Sequence, residues 1–263
     1  MSLRPDGGTA SGALALVDLG LKGRTAIVSG ASSGLGLATA EALAAEGANV
    51  TMFARRREVL EREADRIGAL AVRGDVTTPR DLAAVVERTV EAFGGIDILV
   101  WNGGGPPPGP AASMSADDVT EAVELLLLPA IRLVELCLPH LVQSTGGRIL
   151  IFTSSAVKEP TEHLALSNTV RPGVTGWAKS LARELGPQGV TVNCVAPGRI
   201  ETARLAQIYP EGPSEADLKA IPIGRWGTPQ EFGDVACFLA SDRARYVTGT
   251  TVVVDGGLTR GLI

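Results

Sequence analysis

The stretch Ser29-Gly30-Ala31-Ser32-Ser33-Gly34-Leu35-Gly36 decides the fold of this chain. The apolar run Thr25–Val28 before it predicts a buried strand, and the alanine-rich pattern of 35–46 after it predicts a helix. Glycines at such a junction let the backbone turn tightly and let an anion approach the main chain, where the helix N-terminus faces it. A tight turn without a ligand is the alternative. Because the glycines have a strand on one side and a helix on the other, we favour dinucleotide binding.

The composition is that of a globular chain with one domain. Its 263 residues are 45% hydrophobic and carry a net charge of −5, which allows a sizeable core and gives no case for nucleic acid or an anionic membrane as partner. No apolar run approaches the ~20 residues that span a bilayer, and no signal peptide is evident. Cysteines 137, 194 and 237 are scattered, and the two histidines form no ligand cluster with them. We therefore expect reduced thiols, no metal and a cytoplasmic location.

Predicted strands and helices alternate from Leu21 onward. The strands are 25–29, 49–53, 70–73, 96–100, 148–152, 190–195 and 250–254. The helices are 35–46, 56–67, 79–93, 117–143 with a kink at Pro129, 175–185 with a possible earlier start, and 229–240. Residues 103–110 predict a loop, and 202–220, broken by two prolines, predict a mobile flap.

This alternation predicts an α/β fold, a single Rossmann-type doubly wound domain with a seven-stranded parallel sheet and helices on both faces. We assign that domain to residues 21–263, and residues 1–20 to a disordered or tag-derived extension. Ligands of such sheets bind beyond the carboxyl ends of the strands, so we expect the chemistry there.

Basic residues follow the second predicted strand. An NAD site usually has an acid at this point for the adenine ribose, whereas this chain has Arg55 and Arg56. Guanidinium groups suit a 2′-phosphate, so the sequence favours NADP, with NAD still possible. A solvated basic start to the next helix is the alternative interpretation.

The other strand ends also carry candidate residues. Asp75 and Val76 follow the third strand and suit adenine contacts, although they also fit plain helix entry. Asn102-Gly103-Gly104 after the fourth strand allows close approach of a cofactor. Ser154 after the fifth strand can donate to a carbonyl oxygen or bond its own loop. Pro197-Gly198 after the sixth strand turns into the flap.

With these motifs the sequence resembles the short-chain dehydrogenase/reductase family, of the compact kind that includes 3-oxoacyl-acyl-carrier-protein reductases. The glycine motif, Trp101-Asn102-Gly103-Gly104, the Pro197-Gly198 turn with Thr202, and the typical stretches 179–185 and 253–257 carry the likeness, which covers about 21–257. The resemblance implies a set of cofactor-binding residues: Gly30, Ser32, Ser33, Gly34, Leu35, Gly36, Arg55, Arg56, Asp75, Val76, Asn102, Gly103, Gly104, Arg171, Pro197, Gly198, Ile200 and Thr202.

The catalytic positions depart from the family. The family serine matches Ser154, but the tyrosine and lysine positions hold Ser167 and Arg171, and Leu126 occupies the place of the supporting asparagine. An aliphatic hydroxyl is a much poorer acid than a phenol, and arginine cannot relay a proton. Pro172 disfavours helix at Arg171, so we expect the helix to be kinked or to begin there.

Two function hypotheses follow. The first is an atypical NADP-dependent oxidoreductase acting on a small carbonyl or alcohol, with Ser154, Ser167 and Arg171 as catalytic residues and His163 or Tyr209 as possible substitute acids. The second is a dinucleotide-binding protein with little or no redox turnover, acting as sensor or partner subunit. A different reaction on the same scaffold, a dehydration or isomerisation, is a third possibility. The resemblance also implies a homo-oligomer, a tetramer or dimer, with Leu125–Leu128 compatible with its interface.

Overall fold

The computed structural model of the chain describes residues 17–262. Within these residues, seven strands form one parallel sheet in the order β3-β2-β1-β4-β5-β6-β7. The strands are β1 (Thr25–Ser29), β2 (Asn49–Ala54), β3 (Leu70–Arg73), β4 (Ile98–Trp101), β5 (Arg148–Phe152), β6 (Thr191–Pro197) and β7 (Thr251–Val254). The order reverses between β1 and β4, so the loops after these two strands border a crevice at the carboxyl edge.

Helices cover both faces of the sheet. The described residues form α1 (Gly34–Ala45), α2 (Arg57–Ile67), α3 (Pro79–Phe93), α4 (Ala116–Leu126), α5 (Leu128–Leu141), α6 (Ala165–Leu185), α7 (Ala203–Ile208), α8 (Glu215–Lys219) and α9 (Pro229–Ala240). Alternate side chains of β1 point to opposite faces. Ile27 packs with α3, α5 and α6, and Val28 packs with α1, α2 and α9. The predicted doubly wound Rossmann-type sheet is confirmed.

The single helix predicted over 117–143 is wrong, because two helices occupy this stretch. The break falls at Leu127, which caps both α4 and α5, and Pro129 lies in the first turn of α5. Proline has no N–H and its ring crowds the carbonyl four residues earlier, so the first helix ends before it. The break turns α5 onto the sheet, and α4 packs against α6 instead.

Helix α6 starts ten residues before the proposed Thr175. It runs from Ala165 through Pro172 to Leu185, so the expected start at Arg171 is wrong. Pro172 is exposed, and water can therefore bond the carbonyl that lacks its helical donor. As a result, Ser167 and Arg171 lie one turn apart on the same side of one helix.

The remaining segments agree closely with the prediction. The flap after β6 contains two short helices, α7 and α8, and the capping box of Thr228 opens α9 as expected. All three cysteines are buried and unpaired, as predicted. Of the predicted extension over 1–20, residues 1–16 lie outside the described residues. In the part that is described, the Leu19 carbonyl accepts a hydrogen bond from the Asp242 amide. No helix within 17–262 is long and apolar enough to cross a membrane.

The contact between α1 and α9 fixes the helix that begins at the glycine-rich turn. A Cβ at Gly233 would lie 2.7 Å from the Ala38 carbonyl oxygen, so the two helices touch backbone to backbone. We expect Gly233→Ala to lower the free energy of unfolding by about 1–3 kcal/mol through overpacking. In contrast, Gly176→Ala at an open position of α6 should raise it by about 0.5–1 kcal/mol. Urea unfolding measures both, and an unchanged midpoint for Gly233→Ala would contradict the packing argument.

Candidate active site

A cradle for an anion lies where the turn after β1 meets the loop after β4. Gly30 and Gly34 have φ of +60° and +58°, a region that favours glycine. A Cβ at Gly36 would collide with the Gly30 carbonyl and lie 2.8 Å from Asn102 Nδ2. The Asn102 amide donates to Ser29 Oγ at 2.8 Å, which fixes this loop. The N-terminus of α1 has no side-chain cap, so its first amides can bind a pyrophosphate.

The basic residues after β2 turn toward the glycine-rich turn. Arg56 Nη2 donates to Ser33 Oγ at 2.8 Å and to Ser32 Oγ at 3.3 Å. The Arg55 side chain is 78% exposed. The structure thus brings two hydroxyls and the Arg56 guanidinium together beside the glycine-rich turn, and this donor set suits a phosphate.

Asp75 faces its own loop as well as the crevice. Its Oδ1 accepts from the Thr77 amide at 3.0 Å and from the Thr77 hydroxyl at 2.8 Å, and its Oδ2 lies 3.8 Å from Arg55 Nη1. Burial raises the pKa of Asp75, but the Thr77 hydrogen bonds and the Arg55 charge outweigh it and lower the pKa. Asp75 Oδ1 therefore stabilises the turn that leads into α3. Val76 is partly buried and packs against the core.

The turn after β6 closes the other end of the crevice. A Cβ at Gly198 would lie 2.7 Å from the Asp255 Cα, so this glycine is needed for the approach to the segment after β7. Ile200 forms a parallel bridge with Gly227 that uses the Arg199 carbonyl and the Glu201 amide. The N–H of Ile200 itself therefore points away from the bridge. Thr202 caps α7, and its methyl group would lie 3.3 Å from a Cβ at Gly34.

Ser154 stands at the end of β5 with a hydroxyl that is partly engaged. Its Oγ accepts from the Ala156 amide at 3.2 Å in a short 3₁₀ turn. The turn role of this residue is thus observed. Donation to a carbonyl oxygen stays a prediction, and the hydroxyl proton is not used by the bond from Ala156.

Arg171 ties the loop after β4 and the end of β5 to α6. Its Nη2 donates to the Gly104 carbonyl at 2.9 Å, its Nη1 to the Phe152 carbonyl at 3.2 Å, and its Nε to Ser167 Oγ at 3.1 Å. Burial, and after it the positive charge of Arg204, lowers the pKa of Arg171 to about 10. The group thus stays charged at neutral pH, next to Ser167, which is only 8% exposed.

Sequence reasoning missed Arg204. It lies on α7, and its Nη2 donates to the Pro106 carbonyl at 2.6 Å, so it joins Arg171 at the loop after β4. Burial lowers the pKa of Arg204 as well. No local signal singles it out, since it is one arginine in a flap some hundred residues from the loop it contacts.

The other candidates for a substitute acid are less suited. His163 is exposed and has a φ of +57°. Its carbonyl oxygen accepts a hydrogen bond from the Gly109 amide. Tyr209 packs its ring 5.7 Å from the Trp226 ring and under the Arg199 guanidinium, which is the flap packing that the sequence left open. Leu126 is buried with Val170 of α6, so no amide takes part there.

A parallel sheet with this crevice and a polar cluster beside it defines the class of dinucleotide-binding α/β proteins. A family model described as enoyl-(acyl carrier protein) reductase matches residues 30–259. The 3-oxoacyl-[acyl-carrier-protein] reductase FabG of Vibrio cholerae serotype O1 is 36% identical over 242 residues, which cover 91% of this chain and 99% of that protein. The chain belongs to the short-chain dehydrogenase/reductase family.

Two further relatives show the breadth of this likeness. Cyclohexanol dehydrogenase of a Rhodococcus species is 35% identical over 265 residues, covering 92% of this chain and 98% of that protein. Among solved structures, L-sorbose reductase from Gluconobacter frateurii, complexed with NADPH and L-sorbose, superposes with a TM-score of 0.84. It is 31% identical, and the match covers 94% of this chain and all of that one.

The Arg56 contacts generate a test of cofactor choice. We expect Arg56→Ala to weaken NADPH binding about tenfold and to leave NADH binding nearly unchanged, because only NADPH carries the 2′-phosphate. Arg57→Ala is the matched control, since Arg57 forms an ion pair with the exposed Glu61 on its own helix. Fluorescence titration of both nucleotides measures the ratio. An equal loss of affinity for NADPH and NADH would show that Arg56 does not bind the 2′-phosphate.

Proposed function

We propose that this chain is an NADP(H)-dependent oxidoreductase that reduces a small carbonyl compound, or oxidises the matching alcohol. The observation that carries the proposal is that Arg171 joins the loop after β4 to the end of β5, two residues before Ser154, at the carboxyl edge of the sheet. Relatives named as a 3-oxoacyl reductase, a cyclohexanol dehydrogenase and an L-sorbose reductase support it, since all three names describe carbonyl–alcohol chemistry.

The cofactor is NADP(H), and the residues fit it. The glycine turn leaves room for a pyrophosphate where any Cβ would collide, and Arg55, Arg56 and the two serines supply donors for a 2′-phosphate. Asn102–Gly104 line the middle of the crevice, and Pro197, Gly198, Ile200 and Thr202 close its far end. NADPH supplies a hydride to the carbonyl carbon when bound.

Ser154 and Arg171 act on the carbonyl oxygen in this proposal. The Ser154 hydroxyl keeps its proton for donation, because its oxygen already accepts from Ala156. The guanidinium of Arg171 provides a fixed positive charge where the oxygen becomes negative, and a preorganised charge in a partly buried site is effective. Its hydrogen bonds to Phe152 and Gly104 hold it without reorganisation.

Ser167 is the weaker part of the apparatus. Its oxygen accepts from Arg171 Nε, so its proton is free to pass to substrate or to a water molecule. A serine hydroxyl is a poor general acid, and the loss of a well-matched acid costs about 10²–10⁴ in rate. We therefore propose slow turnover in which water delivers the proton.

Cofactor binding without turnover is the second candidate function. Ser167, Arg171 and Leu126 favour it, because three of the four family positions lack the usual groups and Leu126 is buried in an apolar cluster. Under this reading the chain acts as a sensor or partner subunit.

The proposal also includes an oligomeric state and a cellular location. A homo-oligomer, tetramer or dimer, is supported by Leu125 and Leu128, which are only partly buried on α4 and α5. A cytoplasmic location is supported by the three buried cysteines, whose thiols are free.

NADPH consumption against a panel of carbonyl compounds tests the proposal. We expect Ser154→Ala to lower kcat at least about tenfold with little change in the Kd for NADPH, because the hydroxyl meets the substrate oxygen. Ser155→Ala is the neighbouring control, since that side chain belongs to the 3₁₀ turn. NADPH binding without turnover on any compound would favour the second function, and no dinucleotide binding would contradict both.

The double variant Ser167→Tyr with Arg171→Lys separates a decayed site from one that works differently. We expect this variant to be slower than the parent, because a lysine ammonium lacks the planar fork with which Arg171 holds the Gly104 and Phe152 carbonyls together. Single-turnover kinetics with NADPH measures the change. A faster double variant would mean that the site has merely lost its usual acid.

A further inference from the structure

Two arginines converge on one short loop, residues 104–106 after β4. Arg171 comes from α6 and donates to the Gly104 carbonyl, and Arg204 comes from α7 and donates to the Pro106 carbonyl. Both lie at the carboxyl edge of the sheet, where the substrate of this fold binds. Only Arg171 has a part in the function proposed above.

The two charges have no acidic partner. Within residues 17–262 no carboxylate oxygen lies within 4.0 Å of either guanidinium, whereas Arg148 pairs with Asp242 and Arg199 with Asp217. The charge that acts on Arg171 is that of Arg204, and it is repulsive. Partly buried like charges without a counter-charge are costly, so a bound anion would offset an existing penalty.

Donors remain for such an anion. A guanidinium has five N–H groups. Arg171 makes three hydrogen bonds to the protein and Arg204 makes one, so both keep unused N–H groups. A planar guanidinium matches the two oxygens of a carboxylate.

Gly105 shows that the loop is shaped around Arg204. A Cβ at this position would lie 2.9 Å from Arg204 Nε and 3.1 Å from its Cζ, so the guanidinium rests directly on the loop backbone.

We propose that Arg171 and Arg204 bind a carboxylate of the substrate, so that the substrate class is the oxo acids. This inference rests on the proposed function and specifies its substrate. The carbonyl carbon accepts a hydride from NADPH, and the carbonyl oxygen accepts a proton that water relays from the solvent, so that oxo acid, NADPH and H⁺ give hydroxy acid and NADP⁺. The carboxylate itself is unchanged and positions the carbonyl next to Ser154.

Matched pairs of an oxo acid and its neutral methyl ester test the proposal. We expect kcat/KM for the acid to exceed that for the ester at least about tenfold, and Arg204→Gln to reduce this ratio about tenfold to a hundredfold. Arg204→Lys should keep part of the preference, because the charge remains and the fork is lost. Arg88→Gln, an exposed change of equal charge on α3, is the control and should leave the ratio unchanged.

The outcomes separate this inference from the proposed function. Turnover of neutral carbonyls with no preference for acids would overturn the carboxylate site and leave the oxidoreductase proposal intact. If no carbonyl is reduced, calorimetry with saturating NADPH decides the site by itself. Hydroxy acid binding at least about tenfold tighter than that of its methyl ester, and loss of this difference in Arg204→Gln, would support it. Equal binding would overturn it.

Discussion

The close contact between the turn after β1 and the loop after β4 is the constraint on which the rest of the structure depends. Gly36 touches the Gly30 carbonyl and Asn102, so neither glycine has room for a side chain. This contact brings the N-terminus of α1 to the point where the strand order reverses. The same absence of side chains that lets the backbones meet leaves main-chain amides open to an anion. The same close backbone packing therefore forms both this part of the fold and the cofactor site.

A second set of contacts connects that crevice to the substrate side. Because α6 is continuous through Pro172, Arg171 is held one turn from Ser167 and reaches the ends of two strands at once. The guanidinium is planar and presents donors in three directions, so it can satisfy three acceptors that a point-like ammonium would satisfy less rigidly. The arginine thus acts as a structural clamp as well as a charge. A clamp of this kind fixes the loop at Gly104, against which Arg204 also rests.

The features that the sequence predicted are local ones. Glycines between a strand and a helix, basic residues at the end of β2 and a serine at the end of β5 each follow from a few neighbouring residues, and parallel topology brings such ends together. The helix break at Leu127 and the early start of α6 were harder, because proline disfavours a helix locally while packing and solvent exposure decide whether it is tolerated. The place of Arg204 in the site could not be predicted, since it depends on a contact with Pro106 that no sequence periodicity indicates.

The chemistry beside the crevice favours electrostatic stabilisation over proton donation. A phenol with a nearby ammonium lowers the barrier by supplying a proton as the oxygen becomes negative. Arg171 cannot do this, because even with burial and Arg204 its pKa of about 10 keeps it charged at neutral pH. What it supplies is a permanent positive potential, and two partly buried guanidinium groups supply more of it than one. Such a potential acts on every negative group in the site. Under the proposed function it would stabilise an oxygen that gains charge during reduction, and it would also favour a ligand that is negative from the start. The replacement of the usual residues by Ser167 and Arg171 thus changes both how the site would catalyse and what it would bind.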